Sequence, residues 1–446
     1  MDPTTMSARE IVAATTSGSL SATEVLTALI RRIEVREPQV KAWAHLDLDR
    51  ALAAARRLDS SPERGPMHGV PIGVKDVLAT KGVPTQHNSP FYRGHIPTAD
   101  AACVQTLRAA GAIVLGKTTT TEFAASQAGG PTVNPHDNRR TPGGSSSGSG
   151  AAVADRHVPI ALATQTGGST IRPGSYNGIV AMKPTCRAIS REGLKTFAPS
   201  TDTVGFCVGH LDDLDLLADV FQLVDRRPST FRGLDSARIA VCRTPKWDAA
   251  EPATVEALDR AESLLLEAGA QVEELVLPAC FDGAWELFTT VLLGEARVSF
   301  LHEVAKHPTM LRDELASYVD DRNTVTTAQL VEAYDKVALL RIEFDRIASD
   351  FDAVLTPSVP GEAPLGIDFT GDPVFCNLWS LLQVPVVNVP GFTGPHGMPV
   401  GLSVVSPRFT DRNLIKVANR VAELFAGAAK VPATRSGPTE FARRNR

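Results

Sequence analysis

Residues 141–150 read TPGGSSSGSG, four serines and four glycines in ten positions. A run of this kind is ordinarily a flexible linker, but its surroundings exclude that. Upstream lie the short apolar runs VPIGV (70–74) and GAIVLGK (111–117). Downstream lie VPIALAT (158–164), ARIAVC (237–242), QVEELVL (271–277), DAVLTP (352–357), VPVVNVP (384–390) and PVGLSVV (399–405). Amphipathic stretches at 101–110, 252–268 and 413–425 separate several of them. Short strands alternating with helices are the pattern of an α/β sheet, so the Ser/Gly run belongs to a loop within such a sheet. Before it, Ser7 with Glu10 and Ser21 with Glu24 have capping-box spacing ahead of helical apolar residues such as Val25, Leu26, Leu29, Ile30 and Ile33. The organisation read from this is a helical N-terminal arm over 1–65, one large α/β domain over 66–431 and a polar tail over 432–446, with no internal repeat and no dividing linker.

Composition narrows the function. The 446 residues are 43% hydrophobic and 21% charged, enough to bury a large core. A formal net charge of -5 supplies no basic surface for a phosphate backbone, so nucleic acid is not expected as a partner. The six cysteines are widely spaced with no C-x-x-C, which reads as reduced, buried thiols and no metal site. The N-terminus MDPTTMSARE has no basic region followed by an apolar run, and no stretch of about 18 apolar residues occurs; a cytoplasmic protein without a membrane span is expected.

Two short motifs fail on context. GAIVLGKT (111–118) fits the phosphate-loop pattern, yet its interior AIVL is itself a strand, leaving no glycine-rich turn to cradle phosphate; Lys117 is expected as a structural or surface residue. GSSSG (144–148) fits the nucleophile elbow with Ser146 at its tip, but turn formers rather than a strand precede it, and no histidine has a supporting signature.

The Ser/Gly run gains meaning beside GVPIGVKD (69–76) and ATQTGGSTIRPGSYNGIVAMKPT (163–185). Together these segments resemble the amidase signature family, in which a GGSSGGS-like segment precedes a GGS-[IV]-R-like one; Ser169 follows Ser145 by 169 − 145 = 24 residues. The resemblance spans nearly the whole chain, through DTVG (202–205), VLTPSVP (354–360) and NLWSLLQVPVVNVPG (377–391). Its details, including TGDP (370–373), look most like the malonamidase-type branch; the urethane-cleaving amidases belong to the same family. Gln165, Ala163, Ser147 and Asn177 depart from the common pattern without removing a catalytic group.

The resemblance implies an amidase signature fold with a large mixed sheet flanked by helices on both faces, and hydrolysis of a linear amide or carbamate of small size without cofactor. By it, Ser169 is the nucleophile, Ser145 the bridge with a cis peptide bond before it, and Lys75 the base; Thr166, Gly167, Gly168 and Ser169 form the oxyanion hole. The chemistry suits these residue types. Amide cleavage needs an activated nucleophile, donors for the oxyanion and a proton for the amine. A lysine serves as base where burial disfavours its charge, and the end of the VPIGV strand is a place for such burial. Ser146 and Thr164, with Ser149 and Asp76, are expected to support these groups or the fold. Arg172 either clamps a substrate carboxylate or pairs internally, and Asn177, Phe375, Trp379 and Leu382 are candidates for a more apolar pocket. A homodimer is compatible with this reading. So is an alternative role as the transferase component of a tRNA-dependent amidotransferase, which needs companion chains.

Overall fold

The computed structural model describes residues 2–429, so the expected tail at 432–446 lies outside the described residues. Among the described residues eleven strands form one sheet: β1 (Trp43–Leu46), β2 (Pro71–Lys75), β3 (Ile113–Thr118), β4 (Ile160–Gln165), β5 (Val180–Lys183), β6 (Thr203–Val208), β7 (Arg238–Val241), β8 (Gln271–Glu274), β9 (Ala353–Pro357), β10 (Val386–Thr393) and β11 (Pro399–Val405). Their order is β1-β3-β2-β4-β6-β5-β10-β11-β9-β7-β8. Two parallel blocks, β3-β2-β4 and β9-β7-β8, flank an antiparallel centre, so the sheet is mixed.

Alternation within the strands explains why both faces are covered. Ile160 and Leu162 of β4 join one core with the helices Ala8–Ser17, Ala102–Ala109, Pro252–Glu267 and Asp411–Ala429, whereas Ala161 and Ala163 join another on the opposite face with Ala22–Val40, Leu48–Ser60 and Ser147–Ala154. Farther along that second face, Ala240, Val354 and Val386 meet the helices Ala284–Ser299, Thr327–Ala348 and Val374–Leu381. Both expected capping boxes are formed: Ser7 and Ser21 each accept from the third helical N–H and donate their own N–H to Glu10 and Glu24. Among the described residues no helix is long and apolar enough to cross a membrane.

The structure corrects the sequence reading in several places. The N-terminal arm is not purely helical, because Trp43–Leu46 is a strand that pairs antiparallel with β3. Cys280 is exposed, unlike the other five free cysteines. Most informative is Lys117. Of its two expected roles it takes the structural one: it has 0% exposure, on β3 opposite Val74 of β2. Its Nζ donates to the Leu78 carbonyl and to Thr80 Oγ1 (2.9 Å) and Thr85 Oγ1 (3.0 Å), and lies 3.9 Å from Asp76 Oδ1. Asp76 in turn accepts the Gln86 N–H. The loop that leaves Lys75 is thus folded around a buried ammonium. Removing one member of a buried pair strands the other charge, at a cost of about 3–5 kcal/mol. Lys117→Met is therefore expected to lower the urea midpoint by a corresponding amount; an unchanged midpoint would mean that the pair is not held charged.

Candidate active site

The site assembles at the carboxyl ends of the adjacent parallel strands β2 and β4, the place where α/β sheets usually bind ligands. The register sets Val74 opposite Leu162, so the next residues along, Lys75 and Ala163–Thr164, emerge side by side. Lys75 is fully buried, and its Nζ donates to Ser145 Oγ (2.8 Å), Thr164 Oγ1 (2.8 Å) and the Thr164 carbonyl (3.3 Å). Burial holds its ammonium well below the ordinary lysine range; Cys207 and Asp202 oppose that, and the Arg172 charge adds to it.

Ser145 sits at the end of the loop that enters the helix Ser147–Ala154. Gly143 turns this loop with φ of 78°, in the left-handed region that favours glycine, and a Cβ there would stand 3.1 Å from Pro173. The Gly144–Ser145 peptide bond is cis. The neighbouring serine faces elsewhere: Ser146 Oγ donates to the Thr164 carbonyl (3.2 Å) and accepts the Thr164 N–H (3.3 Å), while its N–H donates to the Ser169 carbonyl (3.2 Å). It is buried and does not line the cavity, which leaves no exposed elbow serine.

Ser145 and Ser169 open onto one cavity of about 230 Å³, together with Thr166, Gly167, Gly168 and Arg172. Ser169 Oγ has no hydrogen-bond partner among the described residues, so the step from Ser145 to Ser169 is not closed by a direct bond. The loop 166–169 has a simple polarity. Three of its carbonyls are occupied: Gly167 by Ser380 Oγ (2.6 Å), Gly168 by the Arg172 N–H (2.9 Å) and Ser169 by the Ser146 N–H. The N–H groups of Gly167, Gly168 and Ser169 donate to nothing among the described residues. Three consecutive free donors beside a serine form a nest suited to a developing oxyanion. Gly168 permits this close approach, since a Cβ there would lie 3.0 Å from Pro373 and 3.2 Å from Cys376.

Arg172 is 3% exposed, and most of its fork is spent on backbone. Nε (3.1 Å) and Nη2 (2.7 Å) converge on the Gly144 carbonyl, Nη2 also reaches Thr370 Oγ1 (3.1 Å), and Nη1 donates to the Gly371 carbonyl. One Nη1 hydrogen remains for the cavity, which is too few for a bidentate grip on a carboxylate. Asn177, Phe375, Trp379 and Leu382 are buried and line no part of this cavity. Its apolar wall is instead Phe197, Phe288, Leu292 and Tyr318.

Sequence reasoning missed that wall, and also Asp202. Phe288 and Leu292 come from the helix Ala284–Ser299, where a cavity residue and a core residue share one periodicity. Asp202 was legible only as part of DTVG. Its buried carboxylate accepts from Thr166 Oγ1 (2.6 Å) and from the N–H groups of Phe197 (2.7 Å) and Ala198 (3.0 Å), tying the donor loop to the apolar wall. Burial pushes it up to about 6.

The family model described as Amidase matches residues 24–415. The A subunit of the glutamyl-tRNA(Gln) amidotransferase of Streptomyces coelicolor is 32% identical, covering 94% of this chain and 96% of that protein. Among solved structures, a chain from a vestigial protein complex bearing on the origins of an s-triazine catabolic enzyme matches with a TM-score of 0.84 and 28% identity, covering 94% of this chain and 98% of its own. The peptide amidase of Stenotrophomonas maltophilia matches with a TM-score of 0.77 and 26% identity, covering 94% and 96%. With a family model spanning most of its length and its motif residues gathered at one cavity, the chain belongs to the amidase signature family.

Proposed function

We propose that the protein hydrolyses a neutral carboxamide, or by the same chemistry a carbamate, through an acyl-enzyme on Ser169. The observation that carries this is the fully buried Lys75 bonded to Ser145, which shares one cavity with Ser169 and a row of free N–H groups. As a neutral amine, Lys75 keeps two N–H groups for Thr164 and turns its lone pair to the Ser145 hydroxyl. The Ser169 Oγ–carbon bond then forms as the Ser169 proton passes to Ser145 and the Ser145 proton passes to Lys75. The tetrahedral oxyanion meets the N–H groups of the 166–169 loop, and breaking of the C–N bond returns the proton to the leaving nitrogen. Water repeats the sequence to release the acid. The open Ser145–Ser169 gap is no obstacle, because such bonds often tighten only with substrate bound.

A second reading, supported by the 32% identity to an amidotransferase component, is that the ammonia freed is handed to a partner chain. The two share every covalent step and differ in substrate. A free glutamine would present an α-ammonium and an α-carboxylate. Among the described residues no Asp or Glu lines the cavity, and Arg172 has one hydrogen to spare, which favours a neutral substrate for this chain. A panel of glutamine, malonamate, aliphatic amides, anilides and small carbamates, run on the isolated chain, separates the readings. Turnover of glutamine alone, or only with a companion chain, would replace the first with the second.

An alkyl fluorophosphonate is expected to add one group to Ser169; labelling of Ser146 instead would overturn the nucleophile. Lys75→Ala and Ser145→Ala should each reduce the rate by several orders of magnitude, and less than additively together, as parts of one relay do. The depressed Lys75 ammonium must lose its proton before it acts, so the rate should climb as pH rises through that depressed value; a steady decline from about pH 6 to 9 with the fold intact would contradict its role as base. Arg172→Lys, which keeps charge but loses the fork, should lower the rate by a similar factor on neutral and carboxylate-bearing substrates. A selective loss on carboxylates would instead restore the clamp.

A further inference from the structure

Beneath the donor loop lies a short chain of neutral polar groups outside the relay. Gln165, the last residue of β4, is 1% exposed; its Oε1 accepts the N–H groups of Thr170 (2.9 Å) and Ile171 (3.0 Å), and its Nε2 donates to Ser380 Oγ (3.0 Å). Ser380, also 1% exposed and on the helix Val374–Leu381, donates its only proton to the Gly167 carbonyl (2.6 Å). One amide thus caps the far end of the 166–169 loop and, through one hydroxyl, fixes the peptide at its near end. The direction of each bond is determined. Because the Gln165 group facing Ser380 is a donor, the single Ser380 proton has no competing acceptor there and is free for the Gly167 carbonyl.

Resting on the acyl-enzyme reading above, we infer that Gln165 and Ser380 are positioning residues that aim the free N–H groups at the oxyanion. Drawing the Gly167 carbonyl down onto Ser380 orients the peptide on its C-terminal side, whose N–H belongs to Gly168. The chain of bonds carries no net charge, so it imposes this aim without placing a carboxylate under a site where negative charge develops. A glutamate in place of Gln165 could still accept from Thr170 and Ile171 but, ionised, could not donate to Ser380. That hydroxyl would then have two acceptors for one proton, and Gly167 would be released.

The test compares Ser380→Ala, Ser380→Thr and Gln165→Glu, using any substrate found active and, independently of substrate, the rate of Ser169 labelling by an alkyl fluorophosphonate. Losing an oxyanion donor costs roughly 10²–10³ in rate, and misaiming one should cost less. Ser380→Ala is therefore expected to lower kcat about ten- to hundredfold with KM within about twofold, and to slow labelling in parallel. Ser380→Thr keeps the hydroxyl and should restore most of both. For Gln165→Glu, the rate relative to the parent at the same pH should recover as pH falls, because the introduced carboxyl, once protonated, can donate to Ser380 again. That ratio should stay flat for Ser380→Ala, and a merely structural defect would not produce the contrast. Parental kcat and labelling in Ser380→Ala, a loss carried by KM, or a pH-independent Gln165→Glu ratio would each overturn the inference. Should Ser380→Ala fail to fold, Ser380→Thr and Gln165→Glu decide it alone. An unlabelled Ser169 in the parent protein would remove the nucleophile reading and this inference with it, whereas a labelled Ser169 with an unimpaired Ser380→Ala removes the inference only.

Discussion

Everything at the site depends on placing a lysine amine where water cannot solvate its charge. Lys75 is the last residue of a strand with parallel neighbours on both sides, and it is as buried as the valine before it. Its hydrogen bonds go to neutral oxygens of Ser145 and Thr164, with no carboxylate among them. A direct carboxylate partner would favour the ammonium and remove the lone pair; hydroxyls orient the nitrogen without fixing its charge. The buried acids nearby are used differently. Asp76 is committed to Lys117 and the loop amide of Gln86, and Asp202 to Thr166 and two backbone N–H groups. The fold therefore keeps negative charge near enough to hold loops in place while leaving Lys75 to neutral partners.

A second constraint follows from backbone hydrogen bonding. A buried loop must find partners for its carbonyls and N–H groups, and the 166–169 loop solves only half of that problem internally. Side chains and amides from three other places in the sequence take the carbonyls of Gly167, Gly168 and Ser169, and the N–H groups of the same three residues are left over. In a structural loop such unpaired donors would be a cost of about 1–3 kcal/mol each. At the mouth of a cavity beside Ser169 they are what an anionic transition state requires, so the stability forgone and the chemistry proposed have one source.

How much of this was legible in sequence differs by element. Strands β2, β3, β4, β7, β8, β9, β10 and β11 were readable because each falls in a short run rich in apolar residues, most of them buried on both faces. β1, β5 and β6 were not, since WAHL, VAMK and TVGFCV mix polar and small residues in short strands whose pairing, rather than composition, makes them strands. Lys75, Ser145 and Ser169 were singled out as a set by the family resemblance, and the fold brings Lys75 onto Ser145 and sets Ser145 and Ser169 on one cavity. For Lys117 the sequence left a structural and a surface role open, and nothing in GAIVLGKT reveals that Asp76, Thr80 and Thr85 from a preceding loop enclose it, which makes the structural role the one it takes. The pocket wall was out of reach for a related reason. Phe197, Phe288, Leu292 and Tyr318 are scattered along the sequence and meet only once the helices dock.

Arg172 connects these observations. Read along the sequence, an arginine three residues after a nucleophile is a plausible carboxylate clamp. In three dimensions its guanidinium bonds both the Gly144 carbonyl, immediately before Ser145, and the 370–371 loop that leads into the helix beneath the donors. A fork spent on joining the segment before Ser145 to the 370–371 loop has one Nη1 hydrogen left over. Under the proposed function, selectivity falls to the walls contributed by Phe197, the helix Ala284–Ser299 and Tyr318, outside the segments that carry the motif. Chains similar to this one bear names for different substrates, a peptide amidase and a component of an amidotransferase among them; under the proposed function the reacting groups of this chain are tied to its sheet, while its cavity wall is built from residues outside the motif.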